Sequence, residues 1–168
     1  MTDTTIWYLE MNAADDLQGK SDPDLQQRMV VEECRVKQFR VNQFLYQLVG
    51  EHWQWHDKLD WTAEQWQHYA ERDDLRLWMA RVEGSIAGYF ELKKQADNVT
   101  ELAYFGLSPA FVGKGFGGYL LTEAVRQAWM WAPTDRVIVN TCSLDHPSAL
   151  SNYQSRGFLI YREEHVSS

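Results

Sequence analysis

Four glycines crowd the segment Val112-Gly113-Lys114-Gly115-Phe116-Gly117-Gly118, between a β-type run ending at Leu107 and a helical pattern beginning at Tyr119. No other feature constrains the fold of this chain as strongly. Glycine lets the backbone approach a ligand closely, and the free amides at the start of the following helix point at whatever lies there. Together with the helix dipole, such a turn suits a phosphate or pyrophosphate. A tight strand-to-helix turn needs fewer glycines, so anion binding is the favoured reading.

The periodicity around this loop sets the architecture. Thr4–Met11 reads as a first strand, rich in β-branched and aromatic residues. Pro23–Val49 carries apolar residues at helical spacing, with a break expected near Val36–Phe39. His52-Trp53-Gln54-Trp55-His56 is expected as a loop or helix end, and Thr62-Ala63-Glu64-Gln65 as a capping box opening a short helix. Leu75–Val82 and Ile86–Leu92, joined at Glu83-Gly84, form a hairpin, and Val99–Leu107 adds a third strand. After the glycine loop come a helix over Tyr119–Trp131, a buried strand Arg136–Cys142, a short helix Pro147–Ser155 and a strand from Phe158 to Tyr161. The class is α+β: a mostly antiparallel mixed sheet flanked by helices, in which a meander feeds one strand–helix–strand crossover.

With 168 residues and no linker or repeat, a single domain over residues 1–168 is expected. The net charge of −8 argues against a nucleic-acid partner, which needs clustered Lys and Arg. Six carboxylates against Lys20 alone in residues 1–24 concentrate that acidity at one end. Two cysteines, Cys34 and Cys142, make no disulfide framework and fit a reducing compartment. The first residues lack a basic segment followed by an apolar one, and no apolar run is long enough to span a bilayer. A soluble cytoplasmic protein with no membrane partner is therefore expected, and a homodimer is left open.

Which phosphate ligand fits the loop? Gly113-Lys114 is followed by Gly115 rather than Ser or Thr, so a Walker A loop is excluded. Gly113, Gly115 and Gly118 match a dinucleotide fingerprint, but a meander precedes them and too little chain follows for the remaining parallel strands. His52 and His56 are four apart without a clear third ligand, so no metal is expected. Cys142 near Asp145 and His146 offers only a minor Cys–His nucleophile reading.

The window Val112–Gly117 resembles the acyl-CoA-binding signature of the GCN5-related N-acetyltransferases: Arg or Gln, two residues, Gly, one residue, then Gly or Ala. Gly115 and Gly117 occupy the glycine positions, and Val112 replaces the Arg or Gln. Downstream, His146-Pro147-Ser148-Ala149-Leu150-Ser151-Asn152-Tyr153-Gln154-Ser155-Arg156-Gly157-Phe158 keeps that family's Ala, Tyr and Gly-Phe spacing, with His146 for its frequent Asn and Asn152 for its common Leu. The resemblance covers Glu101–Phe158 firmly and implies a fold with splayed central strands forming an acyl-CoA cleft. It implies acetyl-CoA as cosubstrate, bound by Phe105, Gly106 and Leu107 along the pantetheine arm, by Val112 through Gly118, and by His146, Asn152 and Tyr153.

In that family's direct transfer an amine attacks the thioester, so a proton must leave the amine and another must reach the departing thiolate. Tyr153 is the matching acid. For the base, strand alternation places Glu101 with Ala103, Phe105 and Leu107, and a carboxylate on such an apolar face has a raised pKa. Trp53, Trp55, Trp61 and Trp66 are either a substrate wall or a helix-packing cluster. Tyr46, Trp53, Trp55 and His56, interspersed with Glu51, Asp57 and Asp60, suit a cationic amine acceptor. The alternatives are an acyl-CoA-binding sensor without turnover and a dinucleotide-binding protein.

Overall fold

The computed structural model describes residues 3–53 and 55–167; of the aromatic segment 52–56, Gln54 lies outside the described residues. Seven strands form one sheet: β1 (Asp3–Met11), β2 (Met29–Glu33), β3 (Leu75–Val82), β4 (Ser85–Gln95), β5 (Val99–Leu107), β6 (Arg136–Cys142) and β7 (Leu159–Ser167). Their order across the sheet is β2-β3-β4-β5-β6-β1-β7. Every neighbouring pair is antiparallel except β5 and β6. Five helices cover the faces: α1 (Pro23–Arg28), α2 (Phe39–Gly50), α3 (Ala63–Ala70), α4 (Phe116–Met130) and α5 (Ala149–Ser155). None of them is long and apolar enough to cross a membrane. This is the mixed, mostly antiparallel sheet that the periodicity implied.

The meander follows its sequence signals. Glu83 and Gly84 both take positive φ, as a tight hairpin turn requires. Helix α4 places Leu120, Leu121, Ala124, Val125 and Ala128 on one buried stripe, joined in the core by Phe90, Leu92, Leu102 and Val137 from the sheet. Each of its fully buried leucines contributes about 1.5–3 kcal/mol. On the opposite face a smaller cluster of Leu45, Val49, Leu77 and Tyr89 seats α2.

Two elements differ from expectation. Residues 23–49 are not one interrupted helix. Asp22 caps α1 through the amides of Asp24 and Leu25, and the chain then becomes β2, pairing with β3 from Met29↔Val82 to Glu33↔Trp78. The β-branched pair Val30-Val31 on an open sheet edge outweighs the helical spacing of Leu25 and Met29. The last strand continues to Ser167 because β1 supplies a ladder along its length.

The chain between β1 and α1 straps across the start of α4. The Gln18 amide donates to the Arg156 carbonyl, and the Lys20 amide to Thr122 Oγ1. Gly157, at φ +108°, makes this contact possible: a Cβ there would lie 2.2 Å from the Asp16 carbonyl oxygen. Gly157→Ala should therefore destabilise the fold well beyond the roughly 1–3 kcal/mol of a strained backbone conformation. Gly84→Ala, with similar strain and open space around it, should lose only that strain. Urea denaturation compares the two; equal losses would mean that the strap can move aside.

Candidate functional site

The central feature is an interrupted ladder. Strand β5 pairs with β6 only at Val99↔Arg136, Thr100↔Val137 and Glu101↔Ile138, and beyond Glu101 the two strands diverge. Two cavities flank the opening. One, of about 410 Å³, is lined by Phe105, Gly106 and Leu107 of β5, by Val112, Gly113, Gly115 and Gly117 of the loop, and by His146, Asn152 and Tyr153. The other, of about 560 Å³, is lined by Asp57, Lys58, Tyr69, Glu101, Tyr104 and Thr141 among others. Trp53, Trp55, Phe105, Asp145 and Tyr153 line both, so the cavities meet there.

At the first cavity, α4 begins without a cap. Gly115 precedes it at φ +89°, offers no side chain to the helix amides, and the first turn holds no acidic residue. By contrast, α3 has a full capping box between Thr62 and Gln65. The amides at the start of α4 are thus left for an external acceptor, reinforced by the dipole of a 15-residue helix. The neighbours of Gly117, Asn152 Nδ2 and Leu107 Cδ1, are near enough that a larger side chain would intrude on the cradle.

The site residues expected from the sequence mostly converge here. Phe105, Gly106, Leu107, Val112, Gly113, Gly115, Gly117, His146, Asn152 and Tyr153 all line the first cavity. Phe116 does not line it: its ring is buried in the core against Phe111. Lys114 is exposed and lines none of the cavities described, while Gly118 faces a separate recess beside the loop. His146 Nδ1 accepts from the Ser148 amide, which leaves the Cys142–His146 nucleophile reading without support. Among the described residues no cluster of His, Cys, Asp and Glu is arranged to hold a metal.

Tyr153 is buried and packs edge-on against Phe105 and Phe158. Desolvation, and secondarily the nearby Asp145 carboxylate, push its phenol well above the ordinary tyrosine range. It therefore stays protonated and keeps its O–H as a donor.

Glu101 requires a correction. In the β4–β5 register Glu91 faces Tyr104 and Leu92 faces Leu102, so Ala103 is an extra residue on β5. This bulge reverses the alternation. Leu102, Phe105 and Leu107 join the core under α4, whereas Tyr104 joins the cluster under α2. Glu101 therefore does not share the apolar face of Phe105 and Leu107; it lies across from Lys93, accepts a hydrogen bond from Gln95 at 2.7 Å, and lines the second cavity.

The tryptophans divide. Trp55 lies against Gly50, where a Cβ would be 2.4 Å from its ring, and reaches over to Gly106. Trp53 meets the His146 ring edge-on at 4.8 Å. Both form cavity wall, whereas Trp61 and Trp66 pack against each other and Tyr69.

Beneath the second cavity runs a polar network that sequence reasoning did not foresee. Lys58 Nζ donates to Asp57 and Tyr104 and lies over the rings of Trp61, Tyr69 and Tyr104. Burial opposes ionisation of Asp57, but hydrogen bonds from Tyr104, Lys58 and Tyr46 outweigh it and hold the carboxyl below its usual range. Glu91, fully buried, accepts from Asn42 and Tyr69. Its burial outweighs these bonds and raises its pKa. The aromatic box is thus already filled by the chain's own lysine. Glu51 and Asp60 are exposed and line none of these cavities.

Comparison with known proteins agrees with this geometry. The family model described as Acetyltransferase (GNAT) family matches residues 40–158. A mycothiol acetyltransferase from Corynebacterium efficiens is 31% identical over 98 residues, which are 58% of this chain and 31% of that protein. The chain thus spans about a third of the curated relative it matches. A GCN5-related N-acetyltransferase from Kribbella flavida superposes with a TM-score of 0.68 at 17% identity, over 96% of this chain and 56% of that one. An aminoglycoside acetyltransferase from an uncultured soil sample gives 0.62 at 15% identity, over 79% and 89%. At these identities the structural likenesses concern the fold alone.

The Glu91 network has a measurable signature. A carboxyl whose folded pKa is raised contributes stability that is full below the unfolded value of about 4.3 and is lost as pH rises through the folded value. Glu91→Gln carries no titrating proton. Its stability relative to wild type should rise from about pH 4 upward, read as urea midpoints between pH 4 and 8. A difference that stays constant over that range would show that Glu91 ionises as readily folded as unfolded.

Proposed function

The chain belongs to the Acetyltransferase (GNAT) family, and on that premise we propose that it transfers an acetyl group directly from acetyl-CoA to a primary amine. The observation that carries the proposal is the opening between β5 and β6, with an uncapped helix start on one side and a polar cavity on the other. Acetyl-CoA supplies the acyl thioester from the first cavity. Phe105, Gly106 and Leu107, whose strand edge is released from β6, offer backbone groups to its pantetheine arm, and the amides of residues 113–118 hold its pyrophosphate.

The amine enters through the second cavity, past Trp53 and Trp55. Its nitrogen forms a bond to the thioester carbonyl carbon as the carbon–sulfur bond breaks. Tyr153, protonated and at the junction of the cavities, donates its proton to the departing thiolate. The amine proton passes through water to Glu101, which lines the second cavity. Asp145 is the one carboxylate lining both cavities and holds the hydroxyl of Thr141 at 3.0 Å. Because Lys58 already pairs with Asp57, a cationic acceptor is matched by Glu101 and Asp145 rather than by the aromatic box.

A sensor that binds acetyl-CoA without turnover is the second reading, since the cofactor side alone would suffice for it. A dinucleotide site has no support: the glycine loop follows an antiparallel meander, and β5–β6 is the one parallel pair among the described residues.

The test is a panel of amines, mixed with acetyl-CoA and monitored for free thiol. Tyr153→Phe should lower kcat ~10²–10⁴-fold, the ordinary contribution of a positioned acid, with little change in acetyl-CoA affinity. Thiol release at the wild-type rate in this variant would remove Tyr153 from catalysis; acetyl-CoA binding with no release for any amine would favour the sensor.

The loop has its own test. Gly115→Val would strain a positive-φ position, whereas Gly117 is helical and its Cβ would make ordinary contacts. Gly117→Val should fold and bind acetyl-CoA roughly tenfold more weakly or worse, the equivalent of about 1.4 kcal/mol. Wild-type affinity in isothermal titration would place the pyrophosphate elsewhere.

A further inference from the structure

The charges that line the second cavity do not cancel evenly. Asp57, Lys58, Lys93, Glu101 and Asp145 all reach it. Asp57 and Lys58 satisfy each other at 3.0 Å. Glu101 and Asp145 are the carboxylates that match an ammonium in the reading above. Lys93 is left over, a cation on the wall of a cavity assigned to a cationic group.

Strand alternation puts Lys93 on the same face of β4 as Tyr89 and Glu91, the face that α2 covers. Its cross-strand neighbour there is Glu101. Lys93 is half-buried, yet among the described residues its ammonium makes no ion pair and no hydrogen bond. Glu101 is held instead by Gln95 at 2.7 Å. Asp74 feels the charge of Lys93 but is gripped by Arg72 through two bonds of 2.6 Å. The adjacent Lys94 shows the contrast. It points to the other face, where its Nζ donates to Thr100, Thr134 and the carbonyls of Trp131 and Pro133. One lysine is fully engaged in structure, and the next is free for an acceptor that enters from outside.

The position of Lys93 sets a length. Phe105 lines both cavities, and Glu101 precedes it by four residues on β5. At about 3.3 Å per residue that is roughly 13 Å of strand, less the shortening at the Ala103 bulge. Lys93 stands level with Glu101, and its own side chain can lean along the cavity. An anion held by Lys93 therefore lies several bonds away from an amine at Asp145 and Tyr153.

We propose that Lys93 anchors a carboxylate on the acceptor, so that the substrate is a zwitterion: a primary amine joined to a carboxylate through a flexible chain, as in an ω-amino acid. This rests on the amine-acetylation reading above. The ammonium end is matched by Asp145 at the junction, and the carboxylate end by Lys93. A carboxylate fits better than a phosphate, because Glu101 stands directly across from Lys93 and a second negative charge would meet it unbalanced.

The test compares steady-state thiol release from acetyl-CoA by wild type, Lys93→Gln, Lys93→Arg and Lys93→Glu, each first checked for wild-type-like melting. The acceptors are ω-amino acids of increasing chain length, the alkylamines of the same lengths and the corresponding diamines. Wild type should prefer ω-amino acids over alkylamines, with an optimum length. Lys93→Gln should raise the KM for ω-amino acids roughly 10- to 100-fold, as expected for a charge-assisted bond, and leave kcat and the KM for alkylamines unchanged. Lys93→Arg should restore part of the preference, and Lys93→Glu should move it to diamines. Should Lys93→Glu not fold, Lys93→Gln decides. Equal KM for ω-amino acids and alkylamines in wild type, or ω-amino acid KM within twofold of wild type in Lys93→Gln, overturns the anchor and leaves acetyl transfer standing. If no amine releases thiol, the transfer reading fails. Isothermal titration of the ω-amino acids in the presence of CoA then decides the anchor separately. Binding that Lys93→Gln weakens upholds it; no binding, or binding that Lys93→Gln leaves unchanged, overturns it.

Discussion

The early end of the β5–β6 ladder is the constraint from which the rest of the site follows. A parallel pair of strands ordinarily shares its hydrogen bonds along its length, and here the sharing stops after Glu101. From Leu102 onward β5 has backbone groups on that side that β6 does not take. The space so opened is held by Tyr153 and Phe105 packing edge to face and by Trp55 leaning from Gly50 to Gly106. Both larger cavities flank this divergence, and they meet at Phe105 and Tyr153.

Close approach is the second theme, and it explains where glycines stand without a turn to make. Gly106 admits Val49 of α2, since a Cβ there would be 2.4 Å from Val49 Cγ1, and Gly118 admits Lys20 and Arg156 to the start of α4. One brings an aromatic wall to the strand edge; the other brings positive charge to a helix start that has no cap of its own. In an acidic chain this second placement makes the surroundings of that helix start locally positive.

Charge around the second cavity is arranged differently. Lys58, Asp57, Tyr46 and Tyr104 satisfy one another, and Glu91 is buried with Tyr69 and Asn42. Such a network rigidifies the floor of the cavity, because each member would be costly to leave alone. The carboxylates outside this network that face the cavity, Glu101 and Asp145, belong to strand and turn rather than to the aromatic segment.

The glycine loop, the helix after it, the meander and the spacing of Ala149, Tyr153, Gly157 and Phe158 are local patterns, and the sequence by itself determined them: each depends on residues within a few positions of one another. Tertiary structure alone decided the rest. The bulge at Ala103 turned Glu101 away from Phe105, because register is a property of two strands and a two-residue alternation read along one of them cannot reveal an extra residue. Met29–Glu33 became a strand because β3 offered it an edge. Lys58 fills an aromatic box assembled from α3, β5 and the loop before α3, and Arg156 meets Lys20 across more than a hundred residues of chain. Charge pairing of that kind acts through space, over distances that sequence separation does not encode.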